Sequence, residues 1–407
     1  MIDTLLIHGG VRLPRLEGAL TSPIFQSSTY LSAEWGKARY IRFGNSPNHE
    51  ELHARLASLE GAEAALTTSS GMAAIATAMM TALKPGDHVL SHSSLYGCTY
   101  RLFEETLRPL GIMFDYADMT AEDLDLERMI QPNTRALYVE AISNPTLGVP
   151  DFGALTSFSS RHGLVSIVDN TFATPINFRP IENGFDVVIH SASKYLNGHT
   201  DLVAGVIAGE AEFVESCRQT MLKFGASLDP HVAFLLQRGL KTLALRVRHQ
   251  NVAAEAIAHH LQERPDVVVS VSYPMLRGGR SHANAATFLA GGGGVLSFDL
   301  GSSERALAFA NGLRIVTVAP SLGGCETLVM VPALLSHATL EPEVRRAMGV
   351  TDGLVRMAVG LESLHDLLDD IDAALEGLPP LSEGEREGWA TPLGNNAAQK
   401  NLLHQGT

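Results

Sequence analysis

Two stretches decide the fold: LVSIVDNTF at 164–172 and DVVIHSASKYLNGHTDLVAG at 186–205. Each opens as a short apolar run without polar alternation and closes in small polar residues. Such runs, separated by helical patterns, predict strands of a parallel sheet buried on both faces. HVLSH at 88–92, ALYVEA at 136–141 and VAGVIAG at 203–209 have the same texture. Helical stretches such as GMAAIATAMMTALKPGD (71–87) and DFGALTSFSSRHG (151–163) lie between them. The predicted class is α/β with a mostly parallel sheet, and ligands are expected at the carboxyl ends of its strands.

Outward from this centre the texture changes. HEELHARLASLEG (49–61) has Leu52, Leu56 and Leu59 at helix spacing and Gly61 as a stop. Before it, residues 1–45 read as an irregular arm. From about 246 come the helical NVAAEAIAHHLQERPD, then VVVSVSY, a glycine run at 291–294, VLSFDL, IVTVA and the helical SLHDLLDDIDAALEGL. That order predicts a smaller α+β domain. The expected organisation is therefore an arm (1–45), a large α/β domain (46–245), a C-terminal α+β domain (246–379) and a flexible polar tail (380–407).

Composition bounds the partners. Of 407 residues, 45% are hydrophobic and 18% charged, enough apolar material for a large core. The formal charge of −14 repels phosphate backbones and anionic lipid, so neither nucleic acid nor a membrane surface is an expected partner. Cys98, Cys217 and Cys325 show no metal-finger spacing, and the first residues, MIDTLLIHGGVRLPRLEG, show no signal-peptide pattern. Reduced thiols in a cytoplasmic protein are expected.

The chain has only six lysines, and Lys194 alone follows a buried strand into a loop of small and hydroxyl residues. Burial there makes an amine nucleophilic and suited to a Schiff base with a carbonyl cofactor. A lysine paired with a carboxylate in a core loop would look the same. Asp169 ends another buried strand, where it is either a helix N-cap or a carboxylate facing a cationic group such as a pyridinium nitrogen. Ser69-Ser70-Gly71-Met72 opens a helix, where backbone N–H groups can hold phosphate or simply be capped. Ser191 and Ser193 flank the lysine and offer further hydroxyls. Tyr96, after the strand at 88–92, is either a core ring or a platform for a flat cofactor.

Taken in order, SSGMAAI, LYGCTYRLF, SNPTLGVPD, VDNTFATP, SASKYLNGHTDLVAG, SLGGCETL and GLVRMAVGLES resemble the Cys/Met-metabolism family of pyridoxal-phosphate enzymes. The resemblance spans about residues 4–377 and implies a fold-type I architecture with pyridoxal 5'-phosphate as cofactor. It implies Lys194 as the Schiff-base lysine, Asp169 as the acid beneath the ring nitrogen and Tyr96 as the stacking tyrosine. Ser70, Gly71, Met72, Ser191 and Ser193 would cradle the phosphate. Tyr40 and Arg42 would reach a neighbouring subunit's phosphate, so a homodimer is the minimum unit and a homotetramer is expected. Asn144, Ser321 and Arg356 would surround the substrate carboxylate. Two departures stand out: Asn45-Ser46-Pro47 where the family reads Asn-Pro-Thr, and a shortened region at about 275–294.

For the reaction, the resemblance implies Arg101 as a substrate-binding arginine near the distal part of cystathionine in members that handle it. The segment VAPSLGGCETL resembles plant-type cystathionine γ-synthases, whereas Cys98 resembles methionine γ-lyases. The expectation is γ-replacement on an O-acyl homoserine with cysteine, with γ-elimination as the alternative. Other classes fit less well. No GxGxxG links a strand to a helix as a nicotinamide enzyme requires. Apart from one HExxH match at 49–53, inside the leucine-patterned helix, the 16 histidines form no ligand cluster, so no metal is expected. His259 and His260 are expected to face solvent. A non-catalytic binding protein on this fold would keep the cofactor residues for no chemical reason.

Overall fold

The computed structural model describes residues 2–382, apart from 12, 32–37, 122 and 339–340. The predicted tail lies outside the described residues from 383 onward. The first seven strands are β1 (Ala64–Thr68), β2 (His88–His92), β3 (Met113–Ala117), β4 (Thr134–Glu140), β5 (Val165–Asp169), β6 (Val187–Ser191) and β7 (Gly205–Gly209). They form one sheet in the order β1-β7-β6-β5-β4-β2-β3. β3, β2, β4, β5 and β6 pair in parallel, and β7 runs antiparallel to both β6 and β1. A parallel return from β6 would need a crossover; the segment 192–204 instead turns back at the strand's carboxyl end. That turn carries Lys194.

Both faces of the sheet are covered. The helix Gly71–Ala82 is apolar nearly all round because it lies between the sheet and the helix Ala211–Phe224. Pro47–Glu60 covers part of the opposite face. Its first turn answers the departure noted at 45–47: Ser46 caps the helix, Pro47 fits its first position, and Asn45 Oδ1 accepts the Tyr40 N–H at 3.0 Å.

The five-stranded second sheet is formed by β8 (Ser270–Ser272), β9 (Val295–Asp299), β10 (Thr317–Val318), β11 (Leu328–Met330) and β12 (Leu354–Ala358), in the order β10-β11-β12-β9-β8. The helix Leu243–Gln262 joins the two cores. Leu243, Ala244 and Val247 pack with the first sheet's cluster, and Ala253, Ala254, Ile257 and Leu261 with the second's. The expected boundary near 246 falls inside this helix.

Several expectations need correction. The arm is not wholly irregular: Ile2–His8 is helical, with Leu6 in the main core. His260 does not simply face solvent; its Nε2 pairs with Asp372 at 2.8 Å. Gly291, Gly292 and Gly294 exist for close packing, since Cβ atoms there would strike Asn251, the Tyr273 ring, and Gln250 with the Tyr195 hydroxyl. Among the described residues, no helix is long and apolar enough to cross a membrane.

Candidate active site

Asp169, Glu140 and Ser191 each close a strand, while Ser70, Tyr96 and Lys194 lie in the segments leaving β1, β2 and β6. All six therefore gather at one edge of the sheet. β1, antiparallel to β7 as β6 is, points the same way and delivers the helix start at Gly71 to this edge.

That helix start is built for close approach. The Ser70 hydroxyl accepts the Ala73 N–H at 3.0 Å, and Gly71 and Met72 keep their N–H groups without an acceptor among the described residues. A Cβ on Gly71 would lie 2.7 Å from Ser191 Cβ, so only glycine lets the helix start sit against the end of β6. Ser193 departs from expectation: its hydroxyl accepts the Ala204 N–H at 3.0 Å and donates to the Ala204 carbonyl at 3.3 Å. It fastens the lysine turn to the approach of β7, which leaves the Ser191 hydroxyl as the freer donor.

Lys194 Nζ donates to Ser321 Oγ at 2.8 Å. Burial, and then the Arg356 charge, depresses the amine's pKa. Arg356 is buried, 4% exposed, with its pKa lowered to about 10 mainly by burial. One of its guanidinium nitrogens donates to Asn144 Oδ1 at 3.1 Å and the other to the Ser321 carbonyl at 2.8 Å. Its Nε has no acceptor, and no acid pairs with it among the described residues. A buried guanidinium in that state is suited to a carboxylate. Ser321 holds a φ of 149°, an uncommon conformation for a residue with a Cβ, which costs about 1–3 kcal/mol and turns its hydroxyl and carbonyl to different cations.

Asp169 is half-buried. Its Oδ1 accepts the Thr171 N–H at 2.9 Å, no cation is in ion-pair contact among the described residues, and burial raises its pKa. Such a carboxylate suits a protonated ring nitrogen. Tyr96 is 38% exposed, and burial followed by the Cys98 thiol pushes its hydroxyl up to about 12.

Three expected residues stand apart. Arg101 is bound to Glu105 at 3.0 and 3.2 Å on an exposed helical turn and does not join the Lys194 cluster. Tyr40 and Arg42 are exposed. Arg42 donates to the Leu222 carbonyl at 2.9 Å, with its guanidinium 5.7 Å from the Tyr40 ring centroid and 5.5 Å from that of Phe43. A cavity of about 410 Å³ near the ends of β2 and β3, lined by His92, Asp118 and Arg277, does not include Lys194.

Glu140 is the residue that the sequence reading passed over. It is buried and accepts the N–H groups of Tyr96 at 2.7 Å and Asn144 at 3.0 Å. The signal was available, because an acid closing the apolar run ALYVEA deserves the same suspicion as Asp169.

A desolvated lysine, a lone carboxylate, a helix start with free N–H groups and an unpaired buried arginine fit pyridoxal phosphate and an amino acid. The fold and site thus define a fold-type I pyridoxal-phosphate enzyme. Comparison with known proteins carries the identification further. The chain belongs to the Cys/Met metabolism family of PLP-dependent enzymes, whose model matches residues 3–376. It is 41% identical to a cystathionine gamma-lyase of Bacillus subtilis (strain 168), covering 92% of this chain and 99% of that protein. It is 39% identical to an L-methionine gamma-lyase of Pseudomonas deceptionensis, covering 92% and 97%. The solved cystathionine gamma synthase of Xanthomonas oryzae pv. oryzae, in complex with aminoacrylate and cysteine, superposes with a TM-score of 0.88 at 35% identity, covering 92% and 98%.

Proposed function

We propose that this enzyme catalyses γ-replacement: cysteine sulfur displaces the acyloxy group of an O-acyl homoserine, giving cystathionine and a free carboxylic acid. The contact of Lys194 with Ser321, beside Arg356 and Asn144, carries the amino-acid chemistry at the α carbon, and the likeness to the solved cystathionine gamma synthase favours replacement at the γ carbon. Arg356 and Asn144 hold the substrate carboxylate, which brings the α carbon to the lysine amine. The bound cofactor supplies an electron sink for the substrate's α carbon, and Asp169 keeps its ring nitrogen protonated. Lys194 Nζ, depressed in pKa, would take the α proton and then a β proton. The γ C–O bond breaks, the thiol forms the new C–S bond, and the protons return in reverse order. Tyr96 would lie against the ring face, and Gly71, Met72 and Ser191 would hold the phosphate.

A second reading is γ-elimination, which releases a ketoacid and ammonia. The names of the relatives in Bacillus subtilis and Pseudomonas deceptionensis favour it, as does the Cys98 thiol beside Tyr96. Both reactions need the same lysine and the same carboxylate site, so the fate of the γ carbon separates them. The purified enzyme is given an O-acyl homoserine with and without cysteine. Cystathionine formed in a thiol-dependent manner supports replacement; ketoacid and ammonia at an equal rate with or without cysteine overturn it. Tyr40 and Arg42 point to assembly as at least a homodimer, their arm completing a neighbour's phosphate site.

A further inference from the structure

Glu140 is a buried acid that the mechanism above does not use. It closes β4, is 5% exposed, and lies in register with Asp169 on β5, so two carboxylates end neighbouring strands. No cation pairs with it among the described residues, and burial and then Asp169 raise its pKa well above the ordinary carboxylate range. A buried acid beside another acid is unfavourable unless its oxygens are engaged. Here they are, by two peptide N–H groups on different loops: Tyr96 to Oε1 at 2.7 Å and Asn144 to Oε2 at 3.0 Å.

These contacts form one continuous path. Tyr96 and Asn144 meet on Glu140, Asn144 Oδ1 receives Arg356, Arg356 holds the Ser321 carbonyl, and the Ser321 hydroxyl receives Lys194. The two loops are otherwise joined here through the Ser94 and Thr146 hydroxyls at 2.8 Å. We propose that Glu140 is a positioning residue whose single carboxylate sets both the Tyr96 platform over the cofactor and the reach of Asn144 to the substrate carboxylate. The proposal rests on the reading of Lys194, Tyr96 and Asn144 given above. It predicts that the two subsites loosen together when one acceptor is removed.

The test is Glu140→Gln, whose amide has one acceptor oxygen and turns a donor toward the second N–H. In holoenzyme of native size and helix content, the circular dichroism of the visible cofactor band should weaken. KM for the amino-acid substrate should rise by about tenfold or more, as expected when a hydrogen bond to a charged group is lost. Dissociation of pyridoxal phosphate should quicken in parallel. Wild-type dichroism with KM within twofold overturns the proposal, as does a change in kcat alone. If Glu140→Gln does not fold, Glu140→Asp decides: it keeps both acceptors one methylene short, so intermediate losses in both signals are expected and wild-type values overturn the idea. A wild-type protein with no visible band after adding pyridoxal phosphate would instead overturn the Lys194 reading, and Glu140's role with it.

Discussion

Lys194 Nζ lies 2.8 Å from Ser321 Oγ, although the two residues are 127 positions apart and belong to different halves of the chain. The contact parks a desolvated amine on a hydroxyl that leans out of an unusual backbone conformation. Ser321→Ala removes this acceptor but keeps the carbonyl that holds Arg356. The amine then has more freedom, so kcat should fall by roughly tenfold while substrate affinity changes little, in line with the loss of one hydrogen bond to a charged group. Steady-state kinetics separate the two parameters. An unchanged kcat would show that the hydroxyl does not position the amine.

The depressed pKa of Lys194 has a measurable sign. Only the unprotonated amine attacks a carbonyl, so apoenzyme should load pyridoxal phosphate with a pH midpoint below the ordinary lysine value of 10.5. Burial is the larger cause and the Arg356 charge the second, so Arg356→Met should move the midpoint upward without restoring the ordinary value. The same shift links to stability. The unfolded chain binds this proton more tightly, so apoenzyme stability should rise with pH between the folded pKa and 10.5 and level off above. Stopped-flow loading across pH measures the first effect, and denaturant midpoints the second.

Gly71 offers a steric test of the phosphate cradle. An added methyl would lie 2.7 Å from Ser191 Cβ and 2.9 Å from its Cα, atoms that cannot yield without moving strand or helix. Gly71→Ala should therefore push the helix start away from β6, at a cost of about 1–3 kcal/mol in stability typical of overpacking. Pyridoxal phosphate affinity should fall more than affinity for pyridoxal, which lacks the phosphate. Equal losses for both would place the phosphate elsewhere.

The strands at the centre of the sheet were legible because they are buried on both faces and read as unbroken apolar runs. β1 (AALTT) and β3 (MFDYA) were not, since they end in polar residues or lie at an edge, and β11 has only three residues. Within the site, Lys194 and Asp169 announced themselves as polar residues at the ends of such runs. The conformation of Ser321, the unpaired state of Arg356 and the binding of Ser193 to Ala204 are products of packing between distant segments, and no local pattern encodes them. Arg101 illustrates the converse. Its place in a recognisable motif drew attention, yet its nearest acid, Glu105, is one helical turn away and holds it on the surface.

Tyr40 and Arg42 yield a prediction about assembly that activity alone can settle. Within one chain they sit against the end of the helix Ala211–Phe224, exposed, with Arg42 fixed by the Leu222 carbonyl and two aromatic rings. The family resemblance of the arm implies that this arginine serves a phosphate on another subunit and not its own. Lys194→Ala and Arg42→Ala should then each be nearly inactive alone and should complement each other when mixed under conditions that exchange subunits. In a mixed dimer, one site lacks both residues and the other lacks neither. Random exchange therefore restores activity to about a quarter of the sites, since half the dimers are mixed and each has one intact site. If the arm served its own chain, every site would lack one residue, and mixing would restore nothing.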